Sequence, residues 1–144
     1  MDTTILDTEP RELAELLLDA HGDSPQWLDS FVEAIVRGRR GDLGRVLQVW
    51  GLNASEAAGI FGVSRQALSR WLTDGTPSAR AAQVADLSAA TDLLVRYVKA
   101  ERIPAIVRRP ADRLDGRTLI TLAKERSPRA VLDACRTMFD FSTV

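Results

Sequence analysis

Between Leu52 and Thr73 the sequence LNASEAAGIFGVSRQALSRWLT admits one local structure, two short helices crossed over a tight turn. Gly62 stands where the first helix has to stop within one residue, a place usually left-handed and low in cost only for glycine. Asn53, with Glu56 three residues later, fits a capping box for the first helix, and Ser64 is placed to cap the second. Ala58 faces the crossing point, where a larger side chain would push the helices apart. Phe61, Val63, Leu68, Trp71 and Leu72 supply the apolar wedge, and Leu43, Val46, Leu47 and Trp50 lay a matching stripe on a preceding helix. The expected unit has three helices, from about Asp42 to Asp74.

Pointing outward from the second helix are Arg65, Gln66, Ser69, Arg70 and Thr73, with Ser64 at its start. Arginine pairs bidentately with guanine and glutamine with adenine in the major groove, at roughly 1 to 3 kcal/mol of discrimination per good pair. Serine, threonine and helix N-termini more often hold phosphates. The spacing therefore predicts a helix-turn-helix whose partner is double-stranded DNA. A solvated polar face is the plainer alternative for any one of these residues.

The net charge of -1 averages opposite regions. Residues 1 to 36 hold nine acids against Arg11, a net -8, whereas residues 37 to 80 hold seven arginines against Asp42, Glu56 and Asp74, a net +4. A basic stretch centred on the motif is the footprint expected of phosphate contact. Arg37, Arg39 and Arg40, set around Gly38 and before Gly41, read as a flexible basic link able to reach a phosphate or a minor groove. They read equally as the cationic end of a helix, stabilised by its dipole.

Elsewhere the pattern is helical throughout, giving an all-α fold. Pro10 to Ala20 carries Leu13, Leu16, Leu17 and Ala20 on one face and ends at Gly22. Ser24 and Pro25 cap and start a second helix with Leu28, Phe31, Val32 and Ile35 as its stripe. Residues 1–40 are thus an acidic helical hairpin and 41–76 the helix-turn-helix DNA-binding unit. Residues 77–144 form a long linking helix, expected from about Ser78 to Ala100, and a C-terminal helical partner-binding lobe. The stripe of Val84, Leu87, Leu94 and Val98, widened by Leu93 and Tyr97, exceeds what one neighbour needs. It covers either a second subunit or the chain's own C-terminal helices, expected at Thr118 to Arg126 and Pro128 to Asp140.

Other classes fall away on chemistry. A lone Cys135 rules out an intramolecular disulfide and the structural zinc patterns. It sits at helical spacing with Val131 and Met138, a core position. With one histidine, His21, no glycine-rich phosphate loop and no paired carboxylates, the chain shows no catalytic constellation, so no enzyme, cofactor or metal is expected. No apolar run nears the ~20 residues that span a bilayer, and the start MDTTILDTEPRE is acidic where a secretion signal is positive. The expected location is cytoplasmic.

The stretch RRPADRLDGRTLITLAKERSPRAVLDACRTMF resembles the toxin-binding domain of the Xre/MbcA/ParS antitoxin family, with Pro110, Leu114, Gly116, Leu119, Leu122, Val131 and Leu132 in matching places. That family also sets an Xre-type helix-turn-helix and a linking helix before this domain, so the resemblance spans roughly residues 42 to 140. It implies a homodimeric antitoxin that represses its own operon and blocks a RES-type toxin. The chain departs from the pattern in its acidic hairpin and its tail, where Phe139, Phe141 and Val144 are the candidate toxin contacts. Terminal aromatics also commonly fold back on their own core. Three readings follow: a transcriptional regulator, whether antitoxin or phage-type repressor; an antitoxin acting mainly on protein; and a helical adaptor.

Overall fold

The computed structural model describes residues 7–140, without the side chains of residues 36–40. Among the described residues all regular structure is helical. In chain order the elements are α1 (Pro10–His21), α2 (Pro25–Trp50), α3 (Ala54–Phe61), α4 (Arg65–Asp74), α5 (Ala81–Tyr97), α6 (Ile103–Ile106), α7 (Leu119–Glu125) and α8 (Pro128–Met138). Short 3₁₀ turns at Ser78–Arg80, Ala100–Arg102 and Asp112–Leu114 join them.

Helix α2 is two arms. Gly41 breaks it at φ 73°, ψ -167°, values open to glycine and strained for other residues. A straight helix would hold residues 33 and 45 about 18 Å apart. Here the buried Arg45 guanidinium donates to Glu33 and lies 2.7 Å from the Asp92 carboxylate on α5. The chain therefore folds sharply at Gly41, and the ion pair closes the bend. A buried guanidinium is tolerable only when paired in this way.

The core gathers on the second arm. Leu43, Val46, Leu47 and Trp50, the stripe expected from the sequence, are buried against Leu68 of α4 and against Val84, Leu87 and Leu94 of α5. Trp50 donates its indole N–H to the Thr91 hydroxyl at 3.0 Å, and that hydroxyl donates to the Leu87 carbonyl at 2.7 Å. Both polar groups are thereby satisfied inside the apolar core. On its other side α5 packs along α8, where Val131, Leu132 and Cys135 are buried. Burial pushes the Cys135 thiol up to about 11.

Several expectations need correction. Of the α5 stripe, Val84, Leu87 and Leu94 are buried against the chain's own α2 and α8, Leu93 and Val98 are half-buried and Tyr97 stays exposed; the helix starts at Ala81 after a 3₁₀ turn and ends at Tyr97. Of the two readings of residues 37–40, the backbone follows the helix end and not the flexible link, being helical up to the break at Gly41. Ser24 stands before α2 without a side-chain capping bond. The hairpin stripe is only partly covered. Leu13, Leu17, Leu28 and Phe31 are half-buried, while Leu16, Val32 and Ile35 are exposed. A ladder of rings, His21 on Trp27 at 3.5 Å and Trp27 on Phe31 at 5.4 Å, covers part of the hairpin instead. No helix among the described residues is long and apolar enough to cross a membrane.

Candidate nucleic-acid interface

Each local signal in residues 52 to 75 acts on its own backbone. Asn53 accepts from the Glu56 N–H at 2.8 Å, and Glu56 accepts from the Asn53 N–H at 3.1 Å, a complete capping box. Gly62 takes φ 65° and ends α3, its N–H donating back to the last turn. Ser64 Oγ then accepts from the Ala67 N–H at 3.1 Å and starts α4. Ala58 and Leu68 are buried where the helices cross, and Phe61 meets Trp71 edge to face at 5.6 Å. Gly75 closes α4 with an N–H to the Trp71 carbonyl.

With Leu68 sealed inward, α4 is fixed in rotation. Arg65, Gln66, Ser69, Arg70 and Thr73 are all exposed, as is Ser64 at the helix start. The Thr73 hydroxyl donates to the Ser69 carbonyl at 3.1 Å, so its proton is spent on its own helix. What the face offers a partner is two guanidiniums, one carboxamide and two serine hydroxyls. A helix of this length, about 15 Å, fits a major groove about 12 Å wide.

The break at Gly41 also meets this helix. Gly41 and Asp42 line a cavity of about 430 Å³ together with Leu72, Thr73, Asp74 and Gly75. The backbone of Arg37, Arg39 and Arg40 thus leads directly into the C-terminal end of α4; their side chains lie outside the described set. Two arginines counted in the basic stretch serve the fold instead. Arg45 is buried with Glu33 and Asp92. Arg80 donates to the Phe61 carbonyl at 3.0 Å and to Gln83, and lies over the Trp71 ring. Among the described side chains of the basic stretch, the arginines left exposed are Arg65 and Arg70, both on α4.

Two residues of the C-terminal lobe also reach the motif, and nothing local in the sequence announces them. Arg108 donates to the carbonyls of Trp50 at 2.9 Å, Gly51 at 2.7 Å and Pro104 at 2.9 Å, and to the Glu56 carboxylate at 3.0 Å. It ties the end of α2 to the start of α3. Lys124 of α7 lies across Gly59, where an added Cβ would come within 3.0 Å of its stem. Of the tail candidates, Phe139 folds back and stacks on Tyr97 at 4.9 Å. Phe141 and Val144 fall outside the described residues. Comparison with protein-family models, curated proteins and solved structures finds no match for this chain.

Proposed function

We propose that this chain is a sequence-specific DNA-binding transcriptional regulator, a cytoplasmic repressor that acts as a homodimer on double-stranded DNA and performs no chemistry of its own. One observation carries the reading: α4 buries Leu68 and exposes Arg65, Gln66, Ser69 and Arg70 from a helix whose start and stop are both capped. Arg65, Gln66 and Arg70 read base edges and Ser64 and Ser69 hold phosphates, whereas Thr73, expected among them, has its hydroxyl proton engaged by the Ser69 carbonyl. Arg37, Arg39 and Arg40 supply further phosphate or minor-groove contact. Selection of bound duplexes from a random pool gives the operator. On that operator Arg65→Ala costs roughly 1 to 3 kcal/mol and relaxes preference at one or two base pairs. Equal losses on every duplex would refute base reading.

The finer reading is an antitoxin that represses its own operon and neutralises a RES-type toxin. Its support is the order of parts: the two-helix motif, the linking helix α5, and a lobe of α6, α7 and α8 behind it. Phe139 is spent on Tyr97, so the toxin contact is assigned chiefly to Phe141 and Val144. Co-purification with a RES-domain protein encoded beside it, lost on deletion of residues 141–144, tests this. Retention of the complex without the tail would move the contact into the lobe.

A further inference from the structure

The arginines of the C-terminal lobe are unevenly engaged. Arg129 and Arg136 share Asp133, Arg129 also reaches Asp86, and Arg108 is spent on the end of α2 and the start of α3. Arg117 is held between Glu125 at 2.7 Å and Asp115 at 3.5 Å. Among the described residues, the side chains of Arg113 and Arg126 are exposed and meet no carboxylate. Arg113, Arg117 and Arg126 line one open cleft of about 220 Å³, with the Asp115 carboxylate and the apolar Leu114, Leu122 and Ala130. Three guanidiniums against one carboxylate leave its lining at net +2. The turn that carries Arg113 and Arg117 is closed on itself: Ala111 donates to the Arg117 carbonyl at 3.1 Å, and Gly116 donates back to Ala111 at 3.0 Å. The N–H groups of Leu114, Asp115 and Arg117 are likewise spent on carbonyls of the same turn, so an anion in the cleft meets side chains.

We propose that this cleft binds a small phosphate monoester, a doubly charged phosphoryl group carried on a compact apolar body. The planar fork of a guanidinium matches phosphate oxygens two at a time. A monoester carries about -1.5 to -2 at neutral pH, which the net +2 of the lining balances, whereas a carboxylate brings half of that. Leu114, Leu122 and Ala130 then cover the organic part, and the modest volume keeps that part compact. The DNA backbone is the poorer occupant, because each diester phosphate has a single charge and the cleft opens away from the motif. Lys124, two residues from Leu122, points to the opposite side of α7 and lies across Gly59 of α3.

The site is separate from the α4 face and its titration contains no DNA, so this inference and the DNA reading can fail independently. Phenyl phosphate added to the full chain and followed by amide NMR is expected to shift Gly116, Arg117, Arg126 and Ala130, with a Kd of about 1 mM or below. Inorganic phosphate, which lacks the ring, and benzoate, which has one charge, each bind about tenfold more weakly or worse. Arg113→Gln and Arg126→Gln each raise the phenyl phosphate Kd about tenfold. Arg136→Gln, at an exposed arginine of α8 outside the cleft, leaves it unchanged. All three positions are exposed, and circular dichroism checks that each variant keeps its helices. No shift at about 10 mM phenyl phosphate would overturn the proposal. Equal affinity for phosphate or benzoate, or a wild-type Kd in the Arg113 and Arg126 variants, would do the same. A fall in duplex DNA affinity in those two variants would give the cleft to the DNA backbone and overturn it as well.

Discussion

Removing Arg108 should loosen the motif from the lobe behind it, although the residue lies in neither α3 nor α4. Its guanidinium donates to three backbone carbonyls and to Glu56, and its side chain is 37% exposed. The bond to the partly buried Trp50 carbonyl is the costly one to lose, about 1.5 kcal/mol for a charged donor. The exposed bonds to Gly51 and Pro104 add about 0.3 kcal/mol each, and the Glu56 pair about 0.5 kcal/mol, as surface ion pairs do. Arg108→Ala is therefore expected to cost about 2.5 kcal/mol, which for a chain of this size lowers Tm by about 8 °C. Chemical denaturation followed by circular dichroism measures it. Arg108→Lys should recover less than half, because an ammonium cannot fork between two helix ends. A cycle with Glu56→Gln should return a coupling of about 0.5 kcal/mol. Arg109→Ala, at an exposed neighbour, is the control and should stay within about 0.5 kcal/mol of wild type. An Arg108→Ala chain as stable as that control would refute the clasp.

Thr91→Val keeps the shape of the core but strands the Trp50 indole N–H, at a cost of about 1 to 3 kcal/mol; a denaturation midpoint equal to wild type would show that the bond contributes nothing. Gly62→Val places a branched side chain at φ 65° and should cost about 2 kcal/mol or more while abolishing operator binding, read by melting and by fluorescence anisotropy. Cys135 ionises near 11 when folded against an ordinary 9.0, so the unfolded chain loses the proton first. Its contribution, on the order of 2 kcal/mol, is whole below pH 9 and is lost as pH rises toward 11. Cys135→Ala should flatten that part of the stability profile, and an unchanged slope would exclude the thiol as its source.

From Leu52 to Thr73 the structure was legible residue by residue. The capping box of Asn53 and Glu56, the stop at Gly62 and the cap at Ser64 all act within four residues of themselves. Their backbone partners are dictated by sequence neighbours alone, so the exposed set Arg65, Gln66, Ser69 and Arg70 followed from the period once Leu68 was inward. The hairpin was legible as two helices but not in its burial. Periodicity marks which face of a helix is apolar; whether another element covers that face depends on how the chain bends at Gly41. The same limit governs charge. Arg45, Arg80 and Arg108 are indistinguishable in sequence from Arg65, yet Glu33 and Asp92 hold the first, Phe61 and Trp71 engage the second, and Trp50, Gly51 and Glu56 bind the third. Between Leu52 and Thr73 sequence alone determined where helices begin and end, because a backbone N–H finds its partner within a turn. Only the tertiary structure decided which arginines remain for a partner, because a guanidinium reaches whatever carbonyl or carboxylate the fold carries to it.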